Sequence, residues 1–432
     1  MQHKNIYIGN YHIMILVCSL LSISNMLSIP MALTEISRQD AWLAFFLPVP
    51  YGFLITFALY TLMRRMPGEN IFEIAKQACG KWLGGFLNLL LIVYLFYDLV
   101  VNLRMYADYF NSSILLRTPV EFILLLTVGL LIFFGNGSIE ELARTGALFF
   151  PVFFILFLFI PWMLSNEIEL SNIKPVFSHG AMLPLKGGVL GAGAFGDIIA
   201  FGAFLNNVKQ PKGLYVSMKC GIVVSSFILT IWTLLVVATI GENTASKIIY
   251  LGWILVQQIH ITDFLDRVDL FIMSLWLPNL FLKYTILYLS ILVGLGSFTK
   301  DKSYKMFNVL TGGLVTIVTL LSFKNVSQVI MFIDFGLVPI TFTIQIIYLG
   351  VLFVVLFFRK NKPSAAGRQE GLKGGKLTWL ALLGCAAAIA IPSFIGQSRG
   401  YYGSICACLY GLCFVLLLFF SFREFKKSIH PY

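Results

Sequence analysis

Long apolar runs, each closed by charged or turn-forming residues, follow one another along almost the whole chain. About 20 apolar residues are enough for an α-helix to cross the hydrocarbon core of a bilayer. The pattern therefore predicts an all-α polytopic membrane protein with about twelve spans. The predicted spans are 11–36, 41–63, 83–112, 119–135, 145–164, 187–206, 214–240, 268–297, 305–322, 329–358, 377–396 and 403–422.

The sixth run is unusual because five glycines fall between Gly187 and Gly196, and Asp197 follows at once. Each glycine inside a helix costs about 1 kcal/mol relative to alanine. Broken helix is tolerated in a membrane only where protein or a wet cavity surrounds the freed backbone groups. Glycine also allows unbroken helices to pack closely, which is the alternative. The carboxylate favours a break, because a charged group inside a membrane usually marks a functional site.

The first run contains a matching interruption. Pro30 removes one backbone hydrogen bond, and Ser24, Asn25 and Ser28 offer polar partners inside the membrane. Matching interruptions in two halves of a chain are typical of transporters built from inverted repeats. We therefore predict a 5+5 inverted repeat in which the first and sixth helices are broken around a solute site.

The composition changes once, near the C-terminal end. Residues 359–376 are rich in Gly and Lys. We expect them to form a cytoplasmic linker between a ten-helix transporter-like core, 1–358, and two additional transmembrane helices with a tail, 377–432. Two other segments predict helices at the membrane surface: 64–81 on the inner side, and the apolar stretch from Trp253 to Ile261 on the outer side.

The charge distribution indicates the orientation of the chain. Only 12% of the residues are charged, and the formal net charge is +11. Most Lys and Arg residues fall in the loops on one side of the predicted spans, and this side is cytoplasmic in membrane proteins. Both termini are then cytoplasmic. The positive charge faces anionic lipid at the bilayer surface, which argues against nucleic acid as a partner.

Cysteine and histidine offer no metal or redox chemistry. The seven cysteines include no CxxC pair, and the five histidines show no metal-ligand spacing. Nucleotide-binding and hydrolase motifs are absent from the sequence. We therefore expect no metal, no cofactor and no enzymatic activity.

Further ionisable residues interrupt the apolar runs. Arg104 of the third span lies four residues before Asp108, which favours a local ion pair. Counting residues from the span ends places Asp98 in the outer half of the membrane and Lys283 in the inner half, so a direct pair between them is not expected. Asp98, Arg104 and Asp334 then form either an outer vestibule cluster or separate interfacial groups. Lys283 is expected to replace a metal cation or to meet a ligand carboxylate.

The predicted ligand-binding residues come from both interruptions and from the third and eighth spans. They are Ser24, Asn25, Ser28, Tyr97, Asp98, Gly191, Gly193, Gly196, Asp197, Trp276 and Lys283.

Four groups of short motifs also carry a family resemblance. In order they are Gly80–Gly84 with Leu103–Phe110; Thr118-Pro119 with Gly137–Arg144 and Phe150-Pro151; Asn172–Val176 with Phe195-Gly196-Asp197 and Asn206–Lys212; and Asp263–Asp269 with Trp276 and Lys283. Over residues 10–360 the chain resembles the spore germination permease family, the B-type membrane subunits of nutrient germinant receptors, in the amino acid–polyamine–organocation superfamily.

The resemblance implies a LeuT-like fold and the sensing of a small nutrient such as an amino acid or a sugar. It also implies assembly with an A-type membrane subunit and a C-type lipoprotein in the inner spore membrane. The first interruption departs from the family because it lacks glycine, and the extension 359–432 exceeds the usual ten spans. A proton-coupled amino-acid permease of vegetative cells is the alternative function, and a purely structural membrane scaffold is a third.

Overall fold

The computed structural model describes residues 7–259, 268–299, 304–358, 375–395 and 400–429. Within these ranges, nine helical stretches are long and apolar enough to cross a membrane, and three shorter apolar helices accompany them. A single isolated bridge between Ile8 and Val208 is the only β pairing in the same ranges. The predicted all-α architecture of a polytopic membrane protein is confirmed.

The first, second and fourth spans lie within a few residues of their predicted bounds, and the second begins in a 3₁₀ helix. The fifth begins at Ile139, earlier than predicted, and the helix of the third includes a short helix that precedes the span. Their bounds are Asn10–Ser22 and Asn25–Ser37 for the first; Arg38–Phe46 (3₁₀) and Pro48–Arg65 for the second; Ile71–Ser113 for the third; Val120–Gly135 for the fourth; and Ile139–Met163 for the fifth.

The second five spans and the last two are also helical and follow the predicted order. Their bounds are Met182–Ala194 and Phe195–Asn207 (3₁₀) for the sixth; Pro211–Ile240 for the seventh; Val268–Gly296 for the eighth; Asn308–Leu321 for the ninth; Val326–Met331, Phe332–Leu337 (π) and Val338–Phe358 for the tenth; Lys376–Ile395 for the eleventh; and Gly400–Ile429 for the twelfth. Short helices at Leu170–Ile173, Glu242–Ala245, Leu251–Gln257 and Lys305–Phe307 lie in connections.

The predicted surface helix at 64–81 is a short helix that begins at Ile71 and is joined to the third span through Gly80. Gly80 has a φ of +82°, a conformation that glycine adopts without steric cost. Ile71 and Ile74 are fully buried, and the hydroxyl of Tyr348 donates to the carbonyl of Ile71 at 3.2 Å. This segment therefore packs against the tenth span, and it leads through Gly80 into the third span.

The predicted outer helix after the seventh span is present as Leu251–Gln257, and Trp253 within it is buried. Residues 260–267, which carry part of this prediction and most of the Asp263–Asp269 motif, lie outside the described residues. The same is true of 359–374 in the predicted linker.

Burial separates central spans from peripheral ones. In the most apolar part of the sixth span 89% of the residues are buried, against 28% in the fifth and the twelfth. Since lipid replaces water around a membrane protein, the exposed apolar faces of the outer spans are lipid-facing surfaces. Trp82 and Trp162, both largely exposed, lie at span ends, where tryptophan anchors helices at the membrane interface. The two interrupted spans thus lie inside the bundle.

The twelfth span packs along the seventh span, and the eleventh packs against the twelfth. Lys219 of the seventh span lies 3.2 Å from the carboxylate of Glu424, and its side chain is 3% exposed. Near the other end of the twelfth span, Tyr410 makes an edge-on ring contact with Trp42 at 5.6 Å between centroids. The two additional spans therefore have buried polar and aromatic contacts with the rest of the bundle.

Candidate functional site

The first span is interrupted at Ile23 and Ser24, which form a turn between its two helical halves. The turn leaves the carbonyl of Ile23 without a helical partner, and Pro30 does the same for the carbonyl of Met26, so side chains of other spans bind both. The indole of Trp276 donates to the carbonyl of Ile23 at 3.2 Å, and that of Trp232 donates to Met26 at 2.9 Å. The predicted break is confirmed, and its backbone groups are satisfied by protein, as the membrane environment requires.

The sixth span changes from α-helix to 3₁₀ helix at Phe195, inside the glycine-rich run. A 3₁₀ stretch in the middle of a helix often marks a functional hinge. The carbonyl of Gly196 accepts a hydrogen bond from the amide of Gln345 at 2.8 Å, and a Cβ atom at this position would overlap Thr341. The glycines therefore provide both the break and the close packing that were considered as alternatives.

Lys283 connects the two interruptions from the middle of the eighth span. Its Nζ lies 2.8 Å from Oδ2 of Asp197 and donates to Oγ of Ser24 at 2.6 Å. The side chains of Lys283 and Asp197 are 2% and 5% exposed. A single buried ammonium group thus holds three helices together at the level of both breaks.

Asp98 of the third span brings a second carboxylate to this cluster. It is 1% exposed, and its Oδ1 accepts a hydrogen bond from the amide of Asn102 at 2.9 Å. Its Oδ2 is buried and has no hydrogen-bond donor within the described part of the chain. The charges of Asp197 and Lys283 both act on it. Two carboxylates and one ammonium therefore share a water-poor site.

These side chains line a cavity of about 40 Å³ between the first, third, sixth, eighth and tenth spans. Aliphatic residues, together with Met105, Tyr106 and Tyr284, form the rest of its wall, and a π-helical turn at Phe332–Leu337 lies along one side. Such turns are frequent at functional sites. The polar members are Ser24, Asn25, Asp98, Asn102, Asp197 and Lys283. The arrangement suits a small charged solute, and the described residues contain no cluster of His, Cys, Asp and Glu that could hold a metal ion.

The predicted site residues divide into those that line the cavity and those that do not. The lining includes Ser24, Asn25, Asp98, Gly193, Asp197 and Lys283. Gly191 packs against Pro48 and Gly196 packs against Thr341. Trp276 donates a hydrogen bond to the carbonyl of Ile23 at the first break.

Tyr97 does not line the cavity. It is 44% exposed on the outer surface of the bundle. The side chain of Ser28 lies outside the described part of the structure, although its backbone belongs to the second half of the first span.

The depth argument about Asp98 and Lys283 was wrong, because both line the same cavity, although Lys283 pairs with Asp197 and not directly with Asp98, as expected. The two helices, which run from Gly80 to Ser113 and from Val268 to Gly296, are longer than the ~20 residues that cross the hydrocarbon core. Counting depth from one helix end therefore placed Asp98 too far outward and Lys283 too far inward, whereas each lies near the middle of its helix.

The expected outer cluster of Asp98, Arg104 and Asp334 is also not formed. Arg104 Nε lies 2.9 Å from Oδ2 of Asp108, which is the predicted local ion pair, and Asp98 points into the cavity. Asp334 is buried within the π-helical turn Phe332–Leu337.

Three contributors to the site were missed in the sequence. Asn102 lies one helical turn after Asp98, so the i,i+4 spacing was available as a signal. Trp232 and Gln345 donate hydrogen bonds to backbone carbonyls of other spans. No local sequence pattern indicates such contacts, since they depend on how the spans pack.

The architecture matches known membrane transporters. The chain aligns over 99% of its length, and 99% of the other chain, with Mhp1, a nucleobase-cation-symport-1 family transporter in a closed conformation with bromovinylhydantoin bound; the TM-score is 0.61 and the identity 13%. This likeness shows the fold alone. The protein is an integral membrane protein with a LeuT-type transporter fold, as predicted.

The sequence identifies the family within this class. Residues 7–329 match the family model described as spore germination protein. The spore germination protein YndE of Bacillus subtilis (strain 168) is 22% identical over 343 residues, covering 76% of this chain and 92% of YndE. Spore germination protein B2 of the same organism is 24% identical over 277 residues, covering 62% and 73% of the two chains. The chain belongs to the spore germination protein family, as the resemblance predicted.

Proposed function

We propose that this chain is the permease subunit of a germinant receptor, which binds a small nutrient in the midplane cavity and triggers germination. The family and the transporter fold support this role. The observation that carries it is the contact of Lys283 with both interrupted spans, through Ser24 and Asp197. A buried charge cluster of this kind marks a solute or ion site in a membrane protein.

The charge cluster provides a way to convert binding into movement. Lys283 joins the first, sixth and eighth spans through two short polar contacts. A charged solute that enters among Asp98, Asp197 and Lys283 competes with these contacts. Binding then favours an arrangement of the spans in which the solute replaces part of the internal ion pairing, which is a shift between conformational states.

The size of the cavity supports coupling between binding and movement. The cavity volume of about 40 Å³ is the space open to the centre of a water-sized sphere, and one water molecule needs about 10–15 Å³ of that space. The cavity therefore holds a few water molecules at most. An amino acid or a sugar is larger. The interrupted spans must therefore separate before a nutrient fits, and the same separation is what a partner subunit would sense.

The cellular setting follows from the family. We propose that the chain lies in the inner spore membrane of an endospore-forming bacterium with both termini in the cytoplasm, where the basic loops face. The proposed partners are an A-type membrane subunit and a C-type lipoprotein. The two relatives that carry spore germination names support this setting.

Thermal unfolding of the purified chain across a panel of amino acids, sugars and nucleosides tests the nutrient-binding role. We expect at least one nutrient to raise the unfolding temperature of the wild type, and Lys283→Met to remove that shift. Because loss of one charge destabilises a buried pair, Asp197→Asn/Lys283→Met is the companion variant that leaves the net charge of the site unchanged. Asp108→Asn, whose carboxylate lies outside the cavity, is the control and should respond like the wild type.

The same variants, expressed in spores, connect binding to germination. Asp197→Asn and Lys283→Met should insert into the membrane but germinate poorly on the nutrient that stabilises the wild type. A normal germination response in correctly inserted variants, or a wild-type chain that no nutrient stabilises, would contradict the proposal.

A proton-coupled amino-acid permease of vegetative cells is a second candidate. The observation that favours it is the pair of buried carboxylates, Asp98 and Asp197, since such groups carry protons in transporters. Uptake of labelled amino acid into proteoliposomes that contain this chain alone, driven by a pH gradient, would support the permease. Dependence of the nutrient response on the partner subunits would support the receptor.

A further inference from the structure

The charges in the cavity do not balance. The described residues that line it include two carboxylates, Asp98 and Asp197, and one ammonium, Lys283. Lys283 lies 2.8 Å from Asp197, so these two neutralise each other directly. Asp98 is equally buried, and no cation pairs with it directly among the described residues. Burying a carboxylate without a partner is unfavourable, so the site is short of one positive charge.

The hydrogen bonds show the same imbalance. Oδ2 of Asp98 has no donor among the described residues, whereas the nearby amide donors are engaged. Asn102 donates to the carboxylate and to the carbonyl of Asp98, and Asn25 donates to the carbonyl of Leu21 at 2.6 Å. The cavity therefore presents a buried acceptor that lacks a donor, and its donors already have acceptors.

The remaining wall of the cavity limits the rest of the ligand. Tyr106, Tyr284 and Met105 line the part formed by the third and eighth spans, and aliphatic side chains of the first, sixth, eighth and tenth spans line the rest. These aliphatic side chains include Leu27, Ile29, Leu190, Leu280, Ile333, Leu337 and Val338. Such a wall suits a short hydrocarbon body joined to one charged head group.

We infer that Asp98 binds the protonated amino group of the nutrient. The ligand class is then small aliphatic primary ammonium compounds, in which the carboxylate of an amino acid contributes little. This inference rests on the proposed function and assigns the recognised group at the same site. Asp98, and not Lys283, then recognises the charged group of the ligand, so the expected role of Lys283 as the partner of a ligand carboxylate is replaced.

Three probes of nearly equal shape distinguish recognition of the ammonium group from recognition of the carboxylate. L-alanine carries an ammonium and a carboxylate, isopropylamine replaces the carboxylate by methyl, and L-lactate replaces the ammonium by hydroxyl. We expect L-alanine and isopropylamine to raise the unfolding temperature of the purified wild-type chain in a concentration-dependent way, and L-lactate to leave it unchanged. In Asp98→Asn the apparent affinity for both amines should fall at least about tenfold, the effect of about 1.4 kcal/mol.

Asp108→Asn is the matched control, because it removes a carboxylate from the same helix without touching the cavity. It should bind both amines as the wild type does. Stabilisation by L-lactate equal to that by L-alanine, or full amine binding by Asp98→Asn, would overturn the inference while leaving the proposed function standing. Stabilisation by a sugar or nucleoside alone would do the same. Failure of every nutrient in the wider panel would instead contradict the proposed function.

Discussion

Lys283 is the side chain on which the two interruptions converge, and its contacts can be tested one at a time. Replacing it leaves Asp98 and Asp197 facing each other without a cation. Replacing Asp197 leaves Lys283 with Asp98 as a remaining counter-charge. The two single substitutions are therefore not equivalent, although they break the same ion pair.

We predict that Lys283→Met destabilises the protein by about 3–5 kcal/mol, the usual cost of removing one partner of a buried pair. Asp197→Asn should cost less because Asp98 still neutralises Lys283. The double variant Asp197→Asn/Lys283→Met should recover much of the loss relative to Lys283→Met. Thermal unfolding of the three variants in one detergent measures this cycle, and additive losses in the double variant would speak against a direct pair.

At the residue scale the sequence revealed the individual charges but not their pairing. Asp98, Asp197 and Lys283 are conspicuous because ionisable groups are rare inside apolar runs. Their pairing depends on depth, and depth was misjudged because it was counted from the ends of helices that are longer than the hydrocarbon core is thick. The pair between Lys219 of the seventh span and Glu424 was likewise not indicated, because it joins residues far apart in the chain.

Both interrupted helices were predictable at the element scale, since Gly, Pro and polar residues inside apolar runs mark them directly. The kind of interruption was not predictable. The 3₁₀ geometry of Phe195–Asn207 and the π turn at Phe332–Leu337 depend on contacts between spans. The bond from Gln345 to the carbonyl of Gly196 is one such contact, and nothing near Gly196 in the sequence indicates it.

Gly196 provides the test at this scale. A Cβ atom there would overlap Thr341 and approach the amide of Gln345, so Gly196→Ala should push the sixth span away from the tenth. We expect a clear fall in unfolding temperature and a weaker nutrient response. Gly129→Ala in the fourth span is the control, because a Cβ there meets nothing within 4 Å and alanine favours the helix.

Adding Thr341→Ser to Gly196→Ala removes the methyl group that the new Cβ would meet, and should restore part of the lost stability. If Gly196→Ala proved as stable as Gly129→Ala, the close approach of the sixth and tenth spans at this position would be ruled out.

For the whole molecule, hydropathy alone predicted twelve spans and their order. It did not predict how the last two spans pack. The twelfth span lies along the seventh and contacts the bundle through the Lys219–Glu424 pair and through Tyr410 and Trp42, and the eleventh span packs on the twelfth. These contacts join residues far apart in the chain, so only the folded structure brings them together.

The overall arrangement places the interrupted spans at the centre and surrounds them with lipid-facing helices. Movement of the first and sixth spans can therefore reach the surface of the bundle only through packed neighbours. The eighth span is one such neighbour, because it carries Lys283 and Trp276, which contact the breaks directly. We therefore expect a movement of the spans at the cavity to alter the surface to which a partner subunit would bind.

Protection of cavity cysteines by a nutrient tests the central claim, that a solute binds between the two interrupted spans. Leu27→Cys and Ala194→Cys place thiols in the cavity wall beside each break, and Thr244→Cys places a control thiol in an exposed connection. With the exposed Cys408 replaced by alanine, a small thiol reagent should modify all three positions. The account predicts that a nutrient which stabilises the protein slows modification at 27 and 194 severalfold but leaves 244 unchanged. Equal rates with and without that nutrient at both cavity positions would contradict it.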